Sequence, residues 1–156
     1  MNALPEERNT LSDEQLSRII EDSAKLGIVA IEWLGGEPLL RDSIFEHMAQ
    51  ARELGFRNNM WTGGLPFEND EIVRKTAELC SHGLISFHIS TINRELYNEM
   101  HPGRPVDDMD IIIDGVKKLL DMGYPPEQLL NSVTYTGMQS AADMIETIDY
   151  FEENFG

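Results

Sequence analysis

The sequence predicts an α/β fold of about four βα units behind an N-terminal helix, with all strands parallel. Three observations predict it. Strand-like runs begin near residues 28, 57, 84 and 130; each is followed by apolar residues at helical spacing; and each run closes on glycine, serine or threonine. Strands alternating with helices at this period require crossover connections, and crossovers give a parallel sheet. With 156 residues and no low-complexity stretch, the chain is expected to be a single domain, 1–156, large enough to bury a real core.

Each element has a local reason. Residues 1 to 11 are polar and read as irregular. Ser12 with Gln15 three positions on is the spacing of a capping box, and Leu16, Ile19, Ile20 and Ala24 then recur at helical spacing until Gly27. The first strand is read over 28–34, and a helix over 39–54 with Leu40, Ile44, Phe45, Met48 and Ala51 on one face. The second strand, 57–62, finishes in Gly63-Gly64, and Asn69 caps a helix carrying Ile72, Val73, Thr76, Ala77 and Cys80. Strand 84–91 alternates Ile85, Phe87 and Ile89 with Ser86, His88 and Ser90. A loop with His101-Pro102-Gly103-Arg104-Pro105 leads to a helix over 106–122, which Tyr124-Pro125-Pro126 ends. The last unit is a strand over 130–136 and a helix over 140–155 with Met144, Ile145, Ile148 and Phe151 on its inner stripe.

The stretch Ala30-Ile31-Glu32-Trp33-Leu34-Gly35-Gly36-Glu37-Pro38 organises the rest. Two glycines at a strand end let a ligand approach the bare main chain, and Pro38 holds Glu37 extended, outside the helix that follows. A lip of carbonyl oxygens and one carboxylate suits an ammonium group, which only donates. It suits a phosphate poorly, because phosphate sites want backbone amides at a helix N-terminus and no competing carboxylate. The plain alternative is a glycine turn with no ligand.

At Gly35, Gly36, Glu37 and Pro38 the sequence resembles the radical S-adenosylmethionine (radical SAM) superfamily, matching its GGEP motif letter for letter. The order of elements from Ser12 to the last helix resembles that family as well. The resemblance implies a partial (β/α) TIM-like barrel in which Gly35, Gly36, Glu37 and Pro38 hold the amino group of S-adenosylmethionine. Ser90 matches a strand-end serine near the cofactor's ribose, although the aspartate expected shortly after it is replaced by Asn93 at best; Thr62 and Thr136 are further candidates for cofactor contact. The implied activity is reductive cleavage of S-adenosylmethionine by a [4Fe-4S] cluster to a 5'-deoxyadenosyl radical, fed by a reductant protein and acting on a small molecule or peptide. That family binds its cluster with a CxxxCxxC segment. This chain has one cysteine, Cys80, so no metal site is expected in it. It therefore reads as a fragment of a radical SAM core, inactive alone, with the cluster expected only in the intact parent.

Polar residues on the inner strand positions, Glu32, Ser86, His88 and Ser90, would line a barrel lumen and suit a substrate cavity. His88 is a candidate for substrate contact or proton handling; the alternative is a hydrogen-bonded interior histidine. His101 is read as a surface loop residue, His47 and His82 receive no role, and Trp33 and Trp61 are read as packing residues. A net charge of −16 argues against nucleic acid and anionic membranes as partners. No apolar run spans a bilayer and no leader pattern opens the chain, so a cytoplasmic location is expected. A sheet with two open parallel edges also invites self-association. Two other readings stay open: a non-catalytic scaffold, and a phosphate-binding (β/α) barrel enzyme.

Overall fold

A computed structural model describes residues 11–105 and 108–156. The polar lead over 1–10 and the predicted helix start at Val106 lie outside the described residues. Helix α1 (Asp13–Lys25) opens on the predicted capping box, Ser12 and Gln15 each satisfying the other's amide. There follow β1 (Ala30–Trp33), α2 (Ile44–Glu53), β2 (Arg57–Trp61), α3 (Asp70–Leu79), β3 (Ile85–Phe87), α4 (Arg94–Met100), α5 (Asp108–Asp121), β4 (Leu129–Asn131) and α6 (Ala141–Phe155). Short 3₁₀ turns fill Pro38–Leu40, Leu65–Glu68 and Pro126–Gln128.

The four strands form one parallel sheet in the order β1-β2-β3-β4, as the alternating pattern requires. Pairing aligns Glu32 with Asn59, Trp61 with Ser86, and Phe87 with Asn131. Because side chains alternate across a strand, Trp33, Met60 and Ile85 fall on the face packed by helices, where Leu39, Ile44, Met48, Phe67, Val73 and Leu119 join them. A second cluster, Phe87, Ile89, Tyr97, Met109, Ile112 and Val116, continues this core, with the rings of Phe151 and Phe155 packed against it. The opposite face carries Glu32, Asn59, Trp61 and Ser86. The sheet is thus a partial (β/α) barrel wall with helices outside and polar residues within.

One buried amide ties the wall to its helices. Asn58 accepts from the Trp33 indole N–H at 2.9 Å and donates to Met48 O, in the middle of α2, at 2.9 Å and to Leu79 O, at the end of α3, at 3.0 Å. Its side chain is fully satisfied while buried, so the polar group fixes how α2 and the end of α3 sit against β2. Gly83 makes this approach possible: a Cβ there would lie 1.9 Å from the Asn58 carbonyl oxygen.

Several sequence expectations are corrected. The helix expected from Leu39 begins only at Ile44, because Arg41 is extended after the 3₁₀ turn and breaks the helical phase. Leu40, expected inside, is therefore 75% exposed, and Leu39 is buried in its place. The strands are shorter than their apolar runs. Asn131 donates its amide to Ile89 O at 3.0 Å and accepts from Ile89 N at 2.9 Å, so a side chain replaces the ladder where β3 and β4 were expected to continue. Helix α4 falls where a plain loop was expected, its Asn93 cap accepting from Leu96 N. On α6, Ile145 and Ile148 are 58% and 46% exposed instead of buried, and Thr147 is the fully buried position. Ile19 on α1 is also exposed.

Gly83→Ala is expected to lower the unfolding free energy by about 3 kcal/mol, since the new methyl group meets rigid backbone. A urea titration followed by circular dichroism measures it.

Candidate functional site

The carboxyl ends of β1 and β2 are joined through Glu37. Its backbone is extended, as a residue before proline should be. Its carboxylate accepts from the Thr62 hydroxyl at 2.9 Å, the Gly63 amide at 2.7 Å and the Leu39 amide at 3.2 Å. The Leu39 bond caps the 3₁₀ turn beginning at Pro38; the other two cross to the neighbouring strand. Thr62 is buried and completes the knot by accepting from Gly64 N at 3.0 Å. A Cβ at Gly63 would sit 3.3 Å from the Glu37 carboxylate, a close contact.

With its carboxylate engaged by the chain, Glu37 fixes the lip and leaves the main chain before it available. Gly35 and Gly36 are exposed, and no donor among the described residues reaches their carbonyl oxygens. Gly35 takes φ 142°, which favours glycine. Gly36 has no such φ, and a Cβ on it would meet nothing within 4 Å. Neither the backbone nor the packing of the chain requires glycine at 36. Exposed carbonyls with no partner in the chain are what an ammonium donor needs.

A second knot forms at the ends of β3 and β4. Ser90 is fully buried; its oxygen accepts from Thr134 N at 3.0 Å and lies 3.1 Å from His88 Nε2. Thr136 is exposed and lies beyond the strand it was expected to end; its amide and hydroxyl both donate to Gln139 Oε1 at 3.0 Å. Gln139 in turn donates to Thr134 O at 2.7 Å, and more distantly to Ser90 O at 3.4 Å. The structure thus brings Glu37 together with Thr62, and Ser90 with His88 and, through Gln139, Thr136. Gln139 was missed in the sequence because an isolated glutamine two residues after a glycine carries no periodic or spacing signal.

His88 is half-buried. Burial pushes its pKa below the usual histidine value, a hydrogen bond to the Ser132 backbone pulls it up, and the charges of His101 and Arg104 push it down again. On the first strand, Glu32 is exposed on the sheet's open face and accepts from the Asn59 amide and the Trp61 indole. Trp61, expected to pack, is 41% exposed on that face, while Trp33 is buried as expected. His47, given no role, contacts Asp13 Oδ1 at 3.2 Å; Arg41 and Ser43 share that oxygen, fastening the end of the lip to α1. These bonds hold the Asp13 carboxyl below the ordinary carboxylate range.

A parallel α/β wall with helices on one side and polar strand ends on the other defines a partial (β/α)-barrel protein. The sequence profile of the Radical SAM superfamily matches residues 3–151, and the chain belongs to that superfamily. It is 28% identical over 117 residues to a probable GTP 3',8-cyclase of Methanocaldococcus jannaschii, covering 74% of this chain and 37% of that protein. Probable GTP 3',8-cyclases of Saccharolobus solfataricus and Metallosphaera sedula are each 27% identical, over 137 and 147 residues; these cover 87% and 94% of this chain and 42% and 43% of theirs. The chain therefore spans about two fifths of the length of the curated relatives it matches.

The family implies S-adenosylmethionine and a [4Fe-4S] cluster. The acceptors of Gly35 and Gly36 fit the first. The chain's own residues do not fit the second: its one cysteine, Cys80, is buried with its thiol pushed up to about 12 by burial, and no group of three metal-ligating side chains occurs among the described residues. No helix among the described residues is long and apolar enough to cross a membrane.

His88 should titrate below 6.5 in a histidine NMR titration. With the folded pKa depressed, its neutral form contributes stability above 6.5, and that contribution is lost as pH falls through the folded pKa.

Proposed function

We propose that this chain is the part of a radical SAM enzyme that seats the methionine end of S-adenosylmethionine. The observation that carries the reading is the pair of exposed, unengaged carbonyls at Gly35 and Gly36, next to Glu37, which is bridged to Thr62 and Gly63. The cofactor's ammonium donates to those oxygens; Glu37 and Pro38 position them; Thr62, Ser90 and Thr136 keep the neighbouring strand ends in register. When bound, S-adenosylmethionine supplies a carbon–sulfur bond for reductive cleavage. The chain on its own binds without cleaving, because one buried cysteine does not hold the cluster. The whole protein acts on a small molecule or peptide met on the open face, with a reductant protein as partner. Its relatives' printed names make cyclisation of a purine nucleotide one such reaction.

Calorimetry with S-adenosylmethionine tests the seat. Gly36→Ala is expected to change fold stability by less than about 0.5 kcal/mol yet to weaken binding roughly tenfold, about 1.4 kcal/mol. A sugar phosphate that binds where S-adenosylmethionine does not would favour the phosphate-barrel reading and end this one.

The edges of the sheet support self-association of the isolated chain. Val29 and Leu34 flank β1 exposed, and Ile145 and Ile148 are exposed on the last helix. Sedimentation velocity is expected to show mass rising with concentration, and a strictly monomeric boundary at high concentration would reject this.

A further inference from the structure

Trp61 is a large aromatic residue that the fold leaves uncovered yet does not leave loose. Its one polar atom, Nε1, is committed to Glu32 Oε2. The other oxygen of Glu32 takes the Asn59 amide, and Asn59 Oδ1 accepts from Leu84 N at 2.9 Å. This chain of bonds runs across three strands or their ends and fixes the indole's direction. The residue stays 41% exposed on the sheet's open face. A hydrophobic ring held out by designed hydrogen bonds costs hydration without filling a core.

Its place gives it a use. Trp61 ends β2 and immediately precedes Thr62, whose hydroxyl binds Glu37, so the ring stands one residue from the knot that holds the Gly35 and Gly36 carbonyls. It lies on the same sheet face as Glu32 and Asn59, away from the helices.

We propose that Trp61 is a stacking platform for a purine base bound on the open face of the sheet, with Glu32 and Asn59 as its positioning residues. This rests on the proposed seat for the identity of the ligand, though not for the platform itself. A purine comes from one of two sources, the adenine of the cofactor or the base of a nucleotide substrate; stacking on the indole is common to both. Stacking is tolerant of which base is present, because every base has a π face.

The chain has two tryptophans, so its two indole N–H signals in a ¹H–¹⁵N spectrum serve as probe and control. Adenosine, guanosine and methionine are titrated separately into the full chain. Saturable movement of the Trp61 signal by a purine nucleoside is expected, with the buried Trp33 signal, bonded to Asn58, unmoved. A stronger response to adenosine assigns the base to the cofactor, and a stronger one to guanosine assigns it to a substrate. Trp61→Leu is expected to weaken nucleoside binding roughly tenfold or more, and Trp61→Phe by less than about threefold. Glu32→Ala, at an exposed position, is expected to weaken it while the dispersed spectrum of the folded chain persists. Equal binding by wild type and Trp61→Leu, or a Trp61 signal indifferent to both nucleosides, overturns the platform. Binding of methionine without either nucleoside overturns the platform and leaves the seat standing; a response to a nucleoside with none to methionine does the reverse.

Discussion

The bridge from Glu37 to Thr62 and Gly63 is the constraint on which the rest of this site depends. An ionised carboxylate accepting three hydrogen bonds from its own chain is a stronger tie than neutral pairs of the same length. It holds two strand ends together where the backbone ladder has stopped. The proline after it prevents the peptide from folding into the next helix, and the glycines before it stay free of side chains. A charged residue that looks like a ligand group in the sequence becomes, in three dimensions, the brace that presents uncharged ones.

The same division of labour recurs along the rim. Ser90, Gln139 and Thr136 form a second polar knot at the far strands, and Asn131 replaces ladder bonds with amide bonds to Ile89. Polar side chains at these strand ends mostly satisfy backbone. Fewer are exposed: Glu32 with its indole partner, and half-buried His88, whose pKa burial lowers. A wall built this way keeps its geometry before any ligand arrives, so that ordering the site costs little on binding.

The alternation of elements and the helix caps were legible in the sequence because both are local. Ser12 with Gln15, Asn69, and Ser140 lie within a few residues of what they bind, and spacing alone reveals them. The GGEP lip and the absence of a cluster-binding cysteine set were equally plain. Illegible were features decided across strands. Leu40 faces outward because Arg41 is fastened to Asp13, 28 positions away. Trp61 faces outward because Glu32, on another strand, claims its N–H. Ile145 and Ile148 fit a helical stripe, yet no element among the described residues covers them. Periodicity tells which residues can share a face, and tertiary partners decide whether that face is covered.

The Asn58 amide has a consequence of another kind. Its two amino hydrogens bind carbonyls of two helices, and its oxygen meets an indole donor. Deamidation would set an acid beside two acceptors, turning a glue into a repulsion inside the core. Burial shields the residue while the chain stays folded, so each spell of unfolding exposes it to a chemical change after which refolding is impaired. The lifetime of such a chain would then be limited by how often it opens as well as by how stable it is when closed.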